Sequence, residues 1–516
     1  MVSRVQTVAF QGLDVITVDV QVQFSSGLVG FQIVGLPDKA VGESKERIRS
    51  TFHAMGLSLP AKRITVNLSP ADLQKEGSHY DLPIALGLLL EMQLIPADAL
   101  ASFITLGELA LDGTLTSVPG TLPTALHAST EMRGLICPYP NGSEAAWAPH
   151  CRILAPRNLL ALLNHFKGSQ IIAAPEKSLQ NDVMRQNLSL GDVKGQETAK
   201  RALVIAAAGG HNLLMIGPPG TGKSMLAARL SGLLPELSPY EALEISMIYS
   251  LAGQLRGGEL MRYRPFRSPH HSASLPALVG GGHKALPGEI SLAHTGVLFL
   301  DELPEFSRQT LESLRQPLEN HQVTIARANA HLTYPARFQL IAAMNPCPCG
   351  YANDIRRPCH KRPKCALQYQ SRLSGPLRDR FDLEVGVSEV PIHALRPQTT
   401  ANASTDAQVK SSVLNARLMQ KERYHNLESP PSKNTPLPND FLNSTASHAH
   451  FEDKAQAETN ALTYFQTAAT QLHLSARSYY RCYRVARTIA DLSSSPVIDR
   501  NHFSDALMLR NYGVSV

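Results

Sequence analysis

Two rhythms of apolar and polar positions divide the chain. Alternation over Val15–Gln23, Arg63–Leu68 and Phe103–Leu109 predicts strands, and helical spacing over Ser44–Met55 and Leu82–Glu91 predicts helices. Together they predict an α/β domain over residues 1–166. Residues 167–187 are polar and weakly patterned, and read as a linker. A second block, residues 188–391, contains short apolar runs of buried-strand type at Leu213–Ile216, Gly296–Leu300 and Leu340–Met344. A third block, residues 392–516, ends in two helical stretches, Phe451–Leu472 and Ala476–Leu492. Between Arg396 and Phe441 the chain is rich in Ser, Thr, Asn, Gln and Pro, which predicts a mobile surface insertion.

Composition adds limits. A chain of 516 residues, 43% hydrophobic and 18% charged, is long enough for about three core-forming domains. A net charge of +6 permits a nucleic-acid partner but does not argue for one unless it is concentrated in a channel. The start lacks a basic segment followed by an apolar run, and no stretch has the roughly 18 uncharged apolar residues of a membrane span. A cytoplasmic location is expected. Four of the seven cysteines lie between Cys347 and Cys365, which in such a chain points to metal before disulfides.

The chemistry begins at Leu213–Ile216. That run is followed by Gly217, Pro218, Pro219, Gly220, Thr221, Gly222, Lys223 and Ser224, then by helical spacing over Met225–Leu234. Strand, glycine-rich loop and helix in this order make a phosphate cradle. Backbone N–H groups surround the phosphates, Lys223 reaches the β- and γ-phosphates, and Ser224 coordinates Mg²⁺. ATP is the implied cofactor. The apolar strand at Gly296–Leu300 ends in Asp301 and Glu302. Asp301 would hold Mg²⁺ through water, and Glu302 would polarise the attacking water. Asn345 closes the third apolar strand, where an amide can orient that water.

Cys347, Cys349, Cys359 and Cys365 sit in a Pro/Arg-rich loop after Asn345. Four thiolates can complete a closed, structural zinc site. The spacing departs from the commoner Cys-x₂-Cys knuckle, and His360 is an alternative ligand. Arg356, Arg357, Lys361, Arg362 and Lys364 make the same loop basic.

Several further motifs carry a family resemblance. Arg267–His271, Pro287–His294, Leu300–Phe306, Asn345–Gly350 and Ser374–Asp382 occur in one order. In that order they resemble the ComM (also called YifB) family of Mg-chelatase-like AAA+ proteins. The resemblance runs from Gly35–Asp38 to the helix at Leu474–Leu492. It implies a P-loop AAA+ core of three α/β/α layers with a helical lid. It also implies a homohexameric ring around DNA, acting as a helicase in branch migration during natural transformation. Arg380 then looks like the arginine finger that reaches a neighbouring subunit's γ-phosphate, with Arg378 as second choice, and Arg477 looks like sensor 2. Gln322–Arg327 and Leu332–Phe338 read as a hairpin that in this clade projects into the ring pore. Arg327, Asn329 and His331 near its tip, and Lys284 in the insertion His270–Lys284, are the candidate DNA contacts.

Thr105–Leu115, Val118–Gly120 and Lys75–Pro83 resemble the Lon protease fold, a ribosomal S5-type α/β domain. The resemblance places Asp81 at the nucleophilic serine and Leu122 at its lysine. A serine–lysine dyad is then missing, although Ser78 is near, and an inactive Lon-like domain is expected. Its surface charges Arg47, Arg49, Lys62 and Arg63 leave open a part in DNA engagement. The competing readings are a chelatase-type or protein-remodelling chaperone and an ATP-dependent protease. An Asp-x-Ser-x-Ser pattern at Asp491–Ser495 would hint at a chelatase partner, but it ends a helix and reads as chance.

Overall fold

The computed structural model describes residues 2–178, 188–282, 285–327, 330–352, 359–361, 363–390, 402–425, 442–447, 451–452 and 454–510. Lys284, Asn329, Arg356, Arg357 and Arg362 lie outside them. Arg327 and His331 are described as backbone only.

The first block forms a mixed seven-stranded sheet. Its strands are β1 (Ser3–Gln11), β2 (Asp14–Ser25), β3 (Gly30–Val34), β4 (Arg63–Ser69), β5 (Phe103–Thr105), β6 (Gly134–Ile136) and β7 (Ile153–Leu154), in the spatial order β3-β4-β2-β1-β5-β6-β7. β1 and β4 pair antiparallel with β2, and the remaining pairs are parallel. Val18, Val20 and Val22 alternate inward along β2 and pack on α1 (Lys39–Ala54) and α2 (Asp81–Glu91). The expected strands and helices are all present. The run at Phe103–Leu109 splits, with Glu108–Leu109 pairing separately with Leu115–Thr116.

The second block is a parallel five-stranded sheet. The helix α3 (Thr121–Thr130) still belongs to the first block; in the second, α4 (Glu197–Gly209) is followed by β8 (Leu213–Ile216), α5 (Lys223–Leu233), α6 (Pro239–Leu251), β9 (Phe266–Arg267), β10 (Val297–Leu300) and α7 (Arg315–Asn320). A hairpin of β11 (Gln322–Arg327) and β12 (Ala330–Pro335) precedes β13 (Gln339–Met344), and β14 (Leu383–Gly386) follows. The sheet order is β9-β10-β13-β8-β14. Of its strands, β8 and β10 are wholly apolar and buried, as strands covered on both faces require. Leu213 and Met215 point into a core with Leu226 and Leu230 of α5, while Leu214 and Ile216 point into the opposite core with Leu300 and Phe381.

The C-terminal block is helical, with α8 (Asn402–His425), α9 (Thr459–Gln471), α10 (Ala476–Leu492) and α11 (Arg500–Met508). The polar stretch expected to be a mobile insertion therefore contains a helix of 24 residues. Val413, Ala416, Gln420 and Tyr424 recur at helical spacing and are buried. Arg417 Nε and Gln420 Nε2 donate to the last-turn carbonyls of Ala207 and Ala208 at 2.9 and 3.2 Å, so α8 caps the end of α4. Polar composition concealed this stripe. Another departure concerns Phe451–Leu472: the long helix begins only at Thr459, because Ala457 bridges to Ile498 in extended form.

The two sheets are joined. Gly120 N–H donates to the Ser250 carbonyl at 3.0 Å, and Trp147 Nε1 to the Gly258 carbonyl at 3.1 Å. Ser250 Oγ donates to Glu144 at 2.5 Å, and Glu144 also accepts from Leu122 N–H at 3.0 Å. Phe10 near the end of β1 and Leu13 in the β1–β2 turn pack on the core beneath the hairpin. Among the described residues no helix is long and apolar enough to cross a membrane.

Candidate nucleotide site

The loop between β8 and α5 is shaped by its glycines. Gly222 has φ +88°, a left-handed conformation that a side chain would oppose, and it lets α5 start at Lys223. The N-terminus of α5 therefore faces the loop, where unpaired N–H groups favour an anion. Lys223 is almost fully buried. Its ammonium donates to the carbonyls of Gly217 and Pro218 at 2.8 and 2.7 Å and to Asn345 Oδ1 at 3.2 Å. Burial lowers its pKa, while Asp301 and Glu302 pull it back up. Ser224 Oγ donates to Asp301 Oδ2 at 2.5 Å.

Strand order brings these groups together. β13 lies between β8 and β10, so the three strands end side by side and present Gly217, Asn345 and Asp301 at one edge. The structure thus collects Lys223, Ser224, Asp301 and Asn345, expected from motifs spread over more than a hundred residues. Glu302 follows in a left-handed conformation, φ +51°, and its carboxylate lies 3.2 Å from His271 Nδ1. Spacing gave no sign of that contact, nor of Gln196, whose side chain donates to the carbonyls of Thr221 and Ser388 at 3.4 and 2.5 Å.

The four cysteines form a cluster beside this site. Their sulfur atoms all lie within 4.8 Å of one another, and Cys347 and Cys349 are 3.1 Å apart. A tetrahedral thiolate site with zinc–sulfur bonds of ~2.3 Å has edges of about 3.8 Å, so the donor set fits that ion. The Tyr351 backbone N–H and the Cys347 thiol draw the Cys349 thiol down to about 7, the range in which a thiol becomes a ligand.

Arg380 and Arg477 lie together. Arg380 Nη2 donates to Glu319 Oε1 at 2.5 Å and its Nη1 to the Pro376 carbonyl at 2.5 Å; Arg477 Nη2 donates to the same Glu319 oxygen at 3.0 Å. Arg378 is engaged elsewhere, in two 2.8 Å bonds to Glu384. Arg481, one turn beyond Arg477 on α10, pairs with Asp382 and donates to the Arg380 carbonyl at 2.9 Å. Burial would raise the Asp382 carboxyl, but Arg481 and His211 hold it well below its usual range.

In the N-terminal block Asp81, the first residue of α2, is fully buried. It accepts two bonds from Arg47, at 2.6 and 2.9 Å, and one from Leu109 N–H at 3.1 Å. Ser78 donates to Glu108 and Lys75 to the Pro70 carbonyl, so serine and lysine engage different partners. Asp491 is likewise occupied, by Arg423 at 2.5 Å, Asn443 at 2.9 Å and Arg487 at 3.0 Å.

A parallel sheet with a glycine-rich phosphate loop, flanked by an acid-ended strand and an amide-ended strand, defines a P-loop ATPase of the AAA+ class. Three family profiles match: "Magnesium chelatase, subunit ChlI" over residues 189–395, "Subunit ChlI of Mg-chelatase" over 20–141 and "Magnesium chelatase, subunit ChlI C-terminal" over 403–510. Competence protein ComM of Haemophilus influenzae is 43% identical over 508 residues, spanning 97% of this chain and 96% of the relative. The uncharacterized protein YifB of Escherichia coli is 43% identical over 514 residues, 98% of this chain and 97% of the relative. The magnesium-chelatase 38 kDa subunit of Rhodobacter capsulatus is 26% identical over 270 residues, 46% of this chain and 70% of that subunit. The chain belongs to the ComM (YifB) family of Mg-chelatase-like AAA+ ATPases.

Proposed function

We propose that this chain is an ATP-driven DNA motor, a cytoplasmic homohexameric helicase promoting branch migration of recombination intermediates during natural transformation. The observation that carries the reading is the course of β13. It starts at the foot of the β11–β12 hairpin and ends at Asn345, whose amide oxygen faces Lys223. A rigid strand of six residues, about 20 Å long, therefore joins the element expected in the pore to the phosphate site. The name of the Haemophilus relative supports the competence context.

In this reading Gly217–Ser224 cradles ATP, and Ser224 with Asp301 holds Mg²⁺. Glu302 and Asn345 align the attacking water. Arg380 serves the neighbouring subunit's γ-phosphate. Arg477 shares Glu319 with Arg380, so both arginines serve the same face of the subunit. Cys347, Cys349, Cys359 and Cys365 hold a structural zinc. Lys284, Arg327, Asn329 and His331 contact the DNA backbone. Residues 1–166 form a Lon-like domain without peptidase chemistry; in support, Asp81 is taken by Arg47, and Ser78 and Lys75 engage separate partners. Residues 188–391 form the motor and 392–516 the lid.

The test is ATPase activity with and without DNA, at several salt concentrations. DNA should stimulate hydrolysis, and Arg327→Ala with His331→Ala should weaken DNA binding and flatten its salt dependence. Hydrolysis indifferent to DNA would transfer the assignment to a chelatase-type or protein-remodelling chaperone.

A further inference from the structure

The Arg380 guanidinium is held in a costly place. Its side chain is only 4% exposed, both Nη atoms are taken within its own chain, and its buried Nε finds no partner among the described residues. Burial lowers its pKa; Glu319 opposes that, and Arg477, Arg315 and Arg481 crowd it with like charge. The acceptor Glu319 is itself about half exposed and shared with Arg477. A buried cation among like charges, with an orphaned N–H, is readily exchanged for a better anion.

Glu319 stands at a junction. It lies in α7, and one left-handed residue, His321 at φ +56°, separates α7 from β11. The His321 carbonyl accepts from Ala336 N–H at 2.8 Å, closing the base of the hairpin. Displacement of the hairpin would therefore act on α7, and on the carboxylate it carries, through this one residue.

Resting on the DNA-motor reading above, we propose that Glu319 is a latch: it parks Arg380 against its own chain, and hairpin engagement draws the carboxylate away so that Arg380 can reach the neighbouring subunit's phosphate. Glu319 is a positioning residue that acts through Arg380. Arg477 keeps the released carboxylate from following Arg380.

The test compares ATPase rates of assembled wild type, Glu319→Gln, Arg380→Ala and the double variant, with and without single-stranded DNA. Glu319→Gln should raise the DNA-free rate about fivefold and reduce the stimulation by DNA by a similar factor. The gain should vanish in the Arg380→Ala background. A merely structural Glu319 would lower both rates together, and that outcome overturns the latch. So does an unchanged stimulation ratio, or a gain that persists without Arg380. If wild type itself shows no stimulation by DNA, the motor reading falls and the latch with it, whereas a stimulated wild type with an unaltered Glu319→Gln variant removes the latch alone.

Discussion

Gly350 stands against the ring of Pro219: a Cβ added to the glycine would lie 2.4 Å from the proline Cδ. The loop that carries the cysteines is thus in contact with the phosphate loop. Gly350 also has φ +85°, where alanine is strained. Gly350→Ala should cost about 1–3 kcal/mol and push Pro219 outward. ATP affinity should fall about tenfold, the equivalent of about 1.4 kcal/mol. Titration with a fluorescent ATP analogue checks this, and unchanged affinity would refute the contact's importance.

Metal removal should act through the same contact. Wild type should carry about one zinc per chain, and Cys359→Ser with Cys365→Ser should carry almost none. ATP binding should weaken in the variant as the Gly350 turn loosens. Metal analysis paired with ATP titration decides it: less than about half an equivalent in wild type, or full ATP affinity without the metal, would count against the assignment.

Glu302→Gln should keep ATP binding, because the hydrogen bonds of the Lys223 and Ser224 side chains run to Gly217, Pro218, Asn345 and Asp301 and not to Glu302. Turnover should drop by about 100-fold or more, since an amide cannot polarise the lytic water. Lys223→Ala should lose binding itself. Single-turnover hydrolysis and ATP retention on a filter separate the two defects.

The join between the two sheets should depend on pH. Burial raises the Glu144 carboxyl above its ordinary value, although Ser250, Leu122 N–H and Asn141 act to lower it. The folded chain then keeps this proton to higher pH than the unfolded chain does. Its contribution to stability is full below the ordinary carboxylate value and is lost as pH rises through the raised one. Thermal midpoints measured between about pH 4 and 8 should fall with rising pH more steeply for wild type than for Glu144→Gln. Equal slopes would place the pH dependence elsewhere.

Local patterns exposed much of this molecule and concealed specific parts. The phosphate loop is contiguous, so Gly217–Ser224 was readable without neighbours. Asp301 and Asn345 were readable because each ends an apolar strand, and parallel strands deliver their ends to one edge. Glu319 was not, because it enters the account only through contacts 61 and 158 residues away in sequence. The helix Asn402–His425 was hidden because its stripe includes Ala416 and Gln420, residues that composition counts as neutral or polar. Gln420 is buried there to satisfy a helix end, which no periodicity of hydrophobicity can register. The Asp81–Arg47 pair likewise needed the fold: the two residues lie 34 positions apart, and only packing brings the Arg47 guanidinium onto the buried Asp81 carboxylate.

In the motor reading, ATP hydrolysis at Gly217–Ser224 moves DNA strands past the ring. Displacement of the labelled strand from a three-stranded DNA substrate, followed over time with wild type and Lys223→Ala, tests it most directly. Displacement should require ATP and Mg²⁺ and be lost with Lys223→Ala. Displacement that proceeds equally without ATP, or none from a wild-type ring that hydrolyses ATP, would contradict it.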